Sequence, residues 1–244
     1  MAGRSGAAAI VIGDEILSGK IRDGNGPYLT DKLRSVGLPL RRILTVSDDI
    51  EEIVWAVNSC RGRFDPIFTS GGIGPTHDDM TVAGVARALG RNVVRHPDIE
   101  AAIRKHYGAR LNDEALRLAN VPEGAQLVRS PRSWYPVMAV EGIYLLPGVP
   151  ELFRMHVDGI VERFRGEPFH LRCVYLGVGE TEIASVLDRI ARDHPAVALG
   201  SYPRFDDADH QVKLTLEAQV AAPVEEALSA LLALLPQSAV LRVE

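Results

Sequence analysis

The first 95 residues alternate between two hydrophobic periods. Ala7–Ile12 is an unbroken apolar run stopped by Gly13, as expected of a parallel strand buried on both faces. Helical spacing begins at Asn25, with Pro27 in the first turn, Leu29 and Leu33 facing inward, and Gly37 as the stop. Leu40–Val46 reads as a second strand. Ser47, Asp48 and Asp49 then offer N-caps for a helix over Ile50–Cys60, where Ile53, Val54 and Val57 form the apolar stripe. Pro66–Ser70 is a short third strand that runs into Gly71-Gly72-Ile73-Gly74-Pro75-Thr76, and Thr81–Leu89 returns to helical spacing. Strand and helix repeated three times predict βαβ units and an α/β fold on a mostly parallel sheet.

The middle of the chain is less regular. Pro97–His106 and Asn112–Ala119 are expected helices, and Asn120-Val121-Pro122-Glu123-Gly124 an expected turn. Val137–Val140 and Gly142–Leu146 are β-like around Glu141-Gly142, and a helix is expected from Glu151 to about Phe164. After Gly166-Glu167-Pro168 the pattern changes: strand His170–Leu176, helix Thr181–Arg192, strands Ala196–Tyr202 and Gln211–Ala218, helix Pro223–Leu235 and strand Ala239–Val243. This β-α-β-β-α-β order predicts a small C-terminal α+β domain, so residues 1–166 and 167–244 are expected to form separate domains.

With 46% apolar and 24% charged residues, the 244-residue chain has the composition of a globular protein and excludes disorder, collagen and disulfide scaffolds. The net charge of −5 is spread along the chain, which argues against nucleic acid as a partner, because phosphate neutralisation needs clustered Lys and Arg. Cys60 and Cys173 lie far apart with no CxxC, so they suggest buried thiols in a reducing compartment rather than a zinc site. The six-residue run Ala7–Ile12 is too short for a signal peptide or membrane span, and no membrane partner and a cytoplasmic location are expected.

Ligands of parallel α/β sheets bind beyond the carboxyl ends of the strands. Three clusters are expected there: Gly13-Asp14-Glu15, Ser47-Asp48-Asp49, and Ser70 through Asp79. Gly71, Gly72 and Gly74 let backbone amides approach a ligand, and an anion at the following helix N-terminus would meet amides and dipole together. The loop is neither a P-loop nor a GxGxxG fingerprint, since His77 stands where the third glycine belongs. Asp14, Glu15, Asp48, Asp49, Asp78 and Asp79 cannot all face an anion unaided. Either some point away as helix caps or a divalent cation sits among them, and Mg²⁺ suits one or two carboxylates plus phosphate oxygens. Lys20 and Arg22 are the nearby bases. His77 reads as a general base or a hydrogen-bonded loop residue, and Trp134 and Tyr135 as a stacking surface for a flat ring or as packing. Asp206-Asp207-Ala208-Asp209 reads as a solvated loop.

Ile12-Gly13-Asp14-Glu15-Ile16-Leu17-Ser18-Gly19 with Asp23-Gly24-Asn25, and Thr69 through Thr81, resemble the molybdopterin-binding (MoaB/Mog-like) domain of CinA-type proteins. Val46-Ser47-Asp48 and Leu146-Pro147-Gly148-Val149-Pro150-Glu151 fall where that family has its remaining motifs. Leu199-Gly200-Ser201-Tyr202-Pro203 with Gln211 through Leu216 resembles the N-terminal domain of eukaryotic FAD synthases. The resemblance implies a three-layer α/β domain that binds a pterin or an adenine dinucleotide, in a homo-oligomer. It implies ligand contacts from Gly13, Asp14, Glu15, Ser70, Gly71, Gly72, Gly74, Thr76, Asp78, Pro147 and Gly148. Asp48 and Asp79 match acids tied to catalysis or metal, with Mg²⁺, Mn²⁺ or Co²⁺ as the cofactor. Gly24 departs from the usual threonine of the Asp-Thr-Asn motif. The 244 residues leave no room for the deamidase domain of full CinA proteins or the adenylyl-transferring domain of FAD synthase, so neither activity is expected of them. The implied function is metal-dependent cleavage of an adenine dinucleotide such as FAD or ADP-ribose. The alternatives are molybdopterin binding or adenylylation in molybdenum-cofactor assembly, and a non-catalytic nucleotide-binding module.

Overall fold

A computed structural model describes residues 6–204 and 209–244, and the chain divides into two compact units, Met1–Gly166 and Glu167–Glu244. In the first, β1 (Ala7–Ile12) leads through a single turn, α1 (Asp14–Leu17), to α2 (Asn25–Ser35), β2 (Leu40–Val46), α3 (Ile50–Cys60), β3 (Ile67–Ser70) and α4 (Thr81–Ala88). There follow β4 (Val93–Arg95), α5 (Pro97–Tyr107), α6 (Asp113–Arg117), β5 (Asn120–Pro122), β6 (Gln126–Val128), β7 (Val137–Val140), β8 (Ile143–Leu146) and α7 (Pro150–Ile160). The six-stranded sheet runs β2-β1-β3-β8-β7-β6. Its β2, β1, β3 and β8 are parallel, and β7 and β6 pair antiparallel beyond them.

Every residue of β1 is buried, and successive residues face different cores. Ala8, Ile10 and Ile12 join Ile53 and Val57 of α3, Val85 of α4 and Ile99 of α5, whereas Ala7 and Ala9 join Leu29 and Leu33 of α2 and Phe153 and Val157 of α7. That two-sided burial explains the unbroken apolar run and gives the three layers of a MoaB/Mog-like fold. The β7–β8 hairpin turns on Glu141 and Gly142 at φ 47° and 79°, positive at both positions as a two-residue turn requires. Arg91 and Arg61 reach the Glu141 carboxylate at 2.6 and 3.0 Å.

Two short pairings were not legible in the chain. The expected turn at 120–124 begins as β5, antiparallel to β4, and β6 is an edge strand against β7. Three-residue strands are too short to show a period of two, and Asn120 and Pro122 are poor strand formers.

The second unit holds β9 (His170–Leu176), α8 (Glu180–Asp193), β10 (Ala198–Pro203), β11 (Val212–Ala218), α9 (Ala221–Leu234) and β12 (Val240–Val243). Its antiparallel sheet runs β10-β11-β9-β12. Val212, Leu214 and Leu216 alternate into a core with Ile183, Ile190, Val224 and Leu231 of the two helices. This is the small α+β fold. Of the acidic run at 206–209, all but Asp209 lies outside the described residues. Cys60 and Cys173 are buried free thiols. Among the described residues no helix is long and apolar enough to cross a membrane.

Phe68 is 1% exposed and packs edge-on against Phe164 at 5.2 Å and tilted against Tyr144 at 5.4 Å. Phe68→Ala is therefore expected to cost about 3–5 kcal/mol. Both tryptophans, Trp55 and Trp134, lie in the first unit, so urea unfolding followed by tryptophan emission reads that unit alone. A loss under about 1 kcal/mol would show that this aromatic cluster is not a packed core.

Candidate functional site

The loops after β1, β3 and β8 meet at the carboxyl ends of the parallel strands, and Asn25 holds them together. Its Nδ2 donates to Ser70 Oγ at 2.9 Å and to the Gly148 carbonyl at 2.8 Å, while its amide donates to Asp23 Oδ1 at 2.9 Å. Its Oδ1 is buried without a partner.

Gly71 and Gly72 adopt φ 103° and 65°. A Cβ on Gly71 would strike the Ile12 carbonyl, and one on Gly148 would lie 3.2 Å from the Gly71 Cα. A Cβ on Gly72 would strike Thr81 Oγ1, and one on Gly74 would lie 2.6 Å from the Asp79 carboxylate. Protein atoms thus crowd the Cβ direction of each of these glycines. Thr81 closes the loop from α4, its Oγ1 donating to the Gly71 carbonyl at 2.7 Å and its amide to the Gly72 carbonyl at 2.9 Å.

The loop's amides divide accordingly. Gly71 donates to the Leu146 carbonyl, and Gly74 to Asp79 Oδ1 at 2.6 Å. The Thr76 amide and hydroxyl donate to Asp79 Oδ2 at 2.7 and 2.5 Å. Among the described residues, the amides of Gly72 and Ile73 have no acceptor. Helix α7 also begins in this wall, with Val149 as its N-cap and no side chain capping its first turn. Free amides at a loop and at a helix start form a surface for an anion.

These loops border a cavity of about 640 Å³, the size of a nucleotide site. Of the residues expected to bind ligand, Glu15, Ser70, Gly71, Gly72, Gly74, Asp78, Pro147 and Gly148 line it, together with Asp48 and Asp79. Gly13, Asp14 and Thr76 do not. The Gly13 amide is bonded to the Val46 carbonyl, Asp14 acts through its amide, and Thr76 braces the loop through Asp79. Arg22 is in the wall and Lys20 is not. Asn25, Tyr107, Met155 and His156 line the cavity without having been singled out. Asn25 had a signal in the Asp23-Gly24-Asn25 motif, whereas His156 lies on the buried face of α7 and nothing in the chain marks it.

The acids have different tasks. Asp49 caps α3, its Oδ1 accepting from the amides of Glu51 and Glu52 at 2.8 and 3.1 Å. Asp79 accepts three loop donors, two on Oδ2 and one on Oδ1, so its first task is to hold the loop. Asp78 is exposed. Asp48 accepts the Asp14 amide at 2.8 Å with one oxygen. Burial raises its carboxyl above the usual range against the pull of that amide, and the nearby charges of Glu15, Asp14 and Asp78 raise it further. Among the described residues no group of three or more His, Cys, Asp or Glu is placed to hold a metal. Asp48 and Glu15 share the cavity wall, and two carboxylates hold a hard cation only with further oxygens from a ligand.

A three-layer α/β domain with a crevice at its strand ends is the class that this geometry defines. Residues 8–166 match the family described as "Probable molybdopterin binding domain", and the chain belongs to that family. Residues 168–244 match "FAD synthase, middle domain". A protein of Archaeoglobus fulgidus is 35% identical over 196 residues, covering 80% of this chain and 84% of that one. A protein of Caenorhabditis elegans named "Probable FAD synthase" is 32% identical over 260 residues, covering 95% of this chain and 50% of its own length. The chain thus spans half of that relative. The crystal structure of the protein CinA from Thermoplasma acidophilum, whose title gives its function as unknown, superposes with a TM-score of 0.60 at 33% identity. It covers 66% of this chain and 98% of that one.

Two expectations follow. Asp79→Asn should loosen the loop, lowering thermal stability and ligand affinity together, and excess metal should not restore either. Unchanged stability with an affinity that metal rescues would make Asp79 a ligand instead. For Asp48, the folded state binds its proton more tightly than the unfolded chain, so stability falls as pH rises from the ordinary carboxyl range through the raised folded value. Asp48→Asn should then be at least as stable as the parent at pH 7 in urea unfolding, with that pH dependence gone. A less stable variant at pH 7 would contradict the assignment.

Proposed function

We propose that the crevice of residues 6–166 binds an adenine dinucleotide such as FAD or ADP-ribose and hydrolyses its pyrophosphate with the help of Mg²⁺, Mn²⁺ or Co²⁺. The observation that carries this reading is the placement of Asp48, Glu15 and Asp78 in the same cavity wall as two unspent amides, with Asp48 partly buried among these charges. Repulsion among partly buried carboxylates is relieved by a cation, and amides with Arg22 accept the charge of a diphosphate. Asp48 and Glu15 would hold the ion, which when bound lowers the pKa of a water and neutralises phosphate oxygens. Gly72, Ile73 and the start of α7 orient the diphosphate, and Asp79 keeps the loop in shape. Water adds to one phosphorus, the bridging P–O bond breaks, and AMP leaves with FMN or ribose 5-phosphate.

A second reading, molybdopterin binding or adenylylation, draws on the family description of residues 8–166. It would be favoured by loss of molybdoenzyme activity on deleting the gene. A third, a binding module without catalysis, draws on the absence of a closed metal cage among the described residues.

Chromatography after incubation with FAD or ADP-ribose is expected to show AMP with divalent metal and none with chelator. Asp48→Asn should lower that release by about 100-fold or more. Saturable binding without AMP under any of the three metals would leave a binding module, and full activity of Asp48→Asn would remove Asp48 from the site.

A further inference from the structure

The same cavity is lined by the rings of Trp134, Tyr135 and His156, which the phosphate chemistry does not use. The His106 ring stacks on Trp134 at 4.1 Å and 8°, Trp134 meets Tyr135 edge-on at 5.6 Å, and Tyr135 meets His156 edge-on at 6.5 Å. These contacts hold the rings in place. The Tyr135 hydroxyl donates to the Leu118 carbonyl at 2.7 Å, and His106 covers one face of Trp134. Trp134 nevertheless remains 47% exposed at the cavity wall, and a half-exposed indole held by neighbouring rings is a stacking platform. His156 supplies an independent observation. It is 3% exposed, lines the cavity, and its Nδ1 is buried with no partner. A buried, unpaired ring nitrogen costs free energy unless something binds there. Burial also lowers the pKa of this imidazole, so at neutral pH it is uncharged and suited to a neutral heterocycle.

We infer that Trp134, Tyr135 and His156 form a subsite for a planar heteroaromatic ring, with Trp134 stacking on the ring and His156 Nδ1 hydrogen-bonding to its edge. This rests on the reading that the crevice takes a nucleotide and adds which walls recognise its ring. Adenine and flavin share the required chemistry, a flat face with polar edge atoms.

The test is calorimetric titration of the full chain with AMP, FMN and ribose 5-phosphate, which carry the same phosphate with and without a ring. At least one of AMP and FMN should bind more tightly than ribose 5-phosphate. Trp134→Ala should weaken that ligand by about tenfold or more, Trp134→Phe should recover most of the loss, and ribose 5-phosphate should be indifferent to both. The ring that responds identifies the source. His156→Phe keeps a ring against Tyr135 and should weaken the same ligand several-fold; if this buried substitution fails to fold, the exposed Trp134 variants decide. In Trp55→Phe protein the only indole is Trp134, and its emission should change on saturation with the responding ligand. Equal binding of all three compounds, unaffected by Trp134→Ala, would overturn the ring subsite and leave the hydrolase reading intact. Binding by none of them would overturn both. Because no turnover is measured, failure to release AMP from a dinucleotide would count against hydrolysis without touching this inference.

Discussion

The site depends on one steric constraint, the contact between the backbones after β3 and β8. Gly71 lies against the Ile12 carbonyl and Gly148, with no space for a Cβ on Gly71 and a tight 3.2 Å approach for one on Gly148. Two loops distant in sequence are thereby held at van der Waals distance, and Asn25 fixes a third to both. With the loops this close, the cavity has walls from four strand ends, and the amides of Gly72 and Ile73 lie in the same wall as Asp48. The constraint is backbone packing, so the architecture of the crevice precedes any ligand.

The acidic residues then sort by what the loops demand. Asp49 and Asp23 accept backbone amides at the starts of α3 and α2, and Asp79 accepts three donors within its own loop. Each is a carboxylate engaged by two or more donors in building structure. Asp48 differs, because a single amide bond does not offset its burial among other acids. A carboxyl whose charged form is disfavoured by its surroundings is a common mark of a functional residue. Placing loop geometry and charge on separate aspartates lets one vary without collapsing the other.

Much of this was readable in the chain because its signals were long or chemically distinctive. The unbroken run Ala7–Ile12 and the helical spacings after it gave the parallel core, and the glycine run after Ser70 located the crevice. What could not be read was the destination of individual carboxylates. Asp48 and Asp49 are adjacent and chemically alike, and only the direction of the backbone at the start of α3 makes one a cap and leaves the other in the wall. Asp78 and Asp79 are separated in the same way. The glycines line the cavity, and the atoms that crowd them belong to Ile12, Thr81 and Asp79. Trp134 and Tyr135 stood out as a stacking surface for a flat ring or as packing, whereas His156 was hidden on a helix face that looks like ordinary core. Sequence periodicity reports which face is buried, and says nothing about a nitrogen left unpaired there.

The account turns on where a diphosphate and its metal would sit. A crystal structure with ADP and Mn²⁺, using the anomalous signal of manganese, tests that most directly. It should place manganese at Asp48 and Glu15, phosphate oxygens on the amides of Gly72 and Ile73, and the Asp79 carboxylate still bonded to Gly74 and Thr76. Manganese on Asp79 with the loop bonds broken, or phosphates away from Gly72 and Ile73, would contradict it.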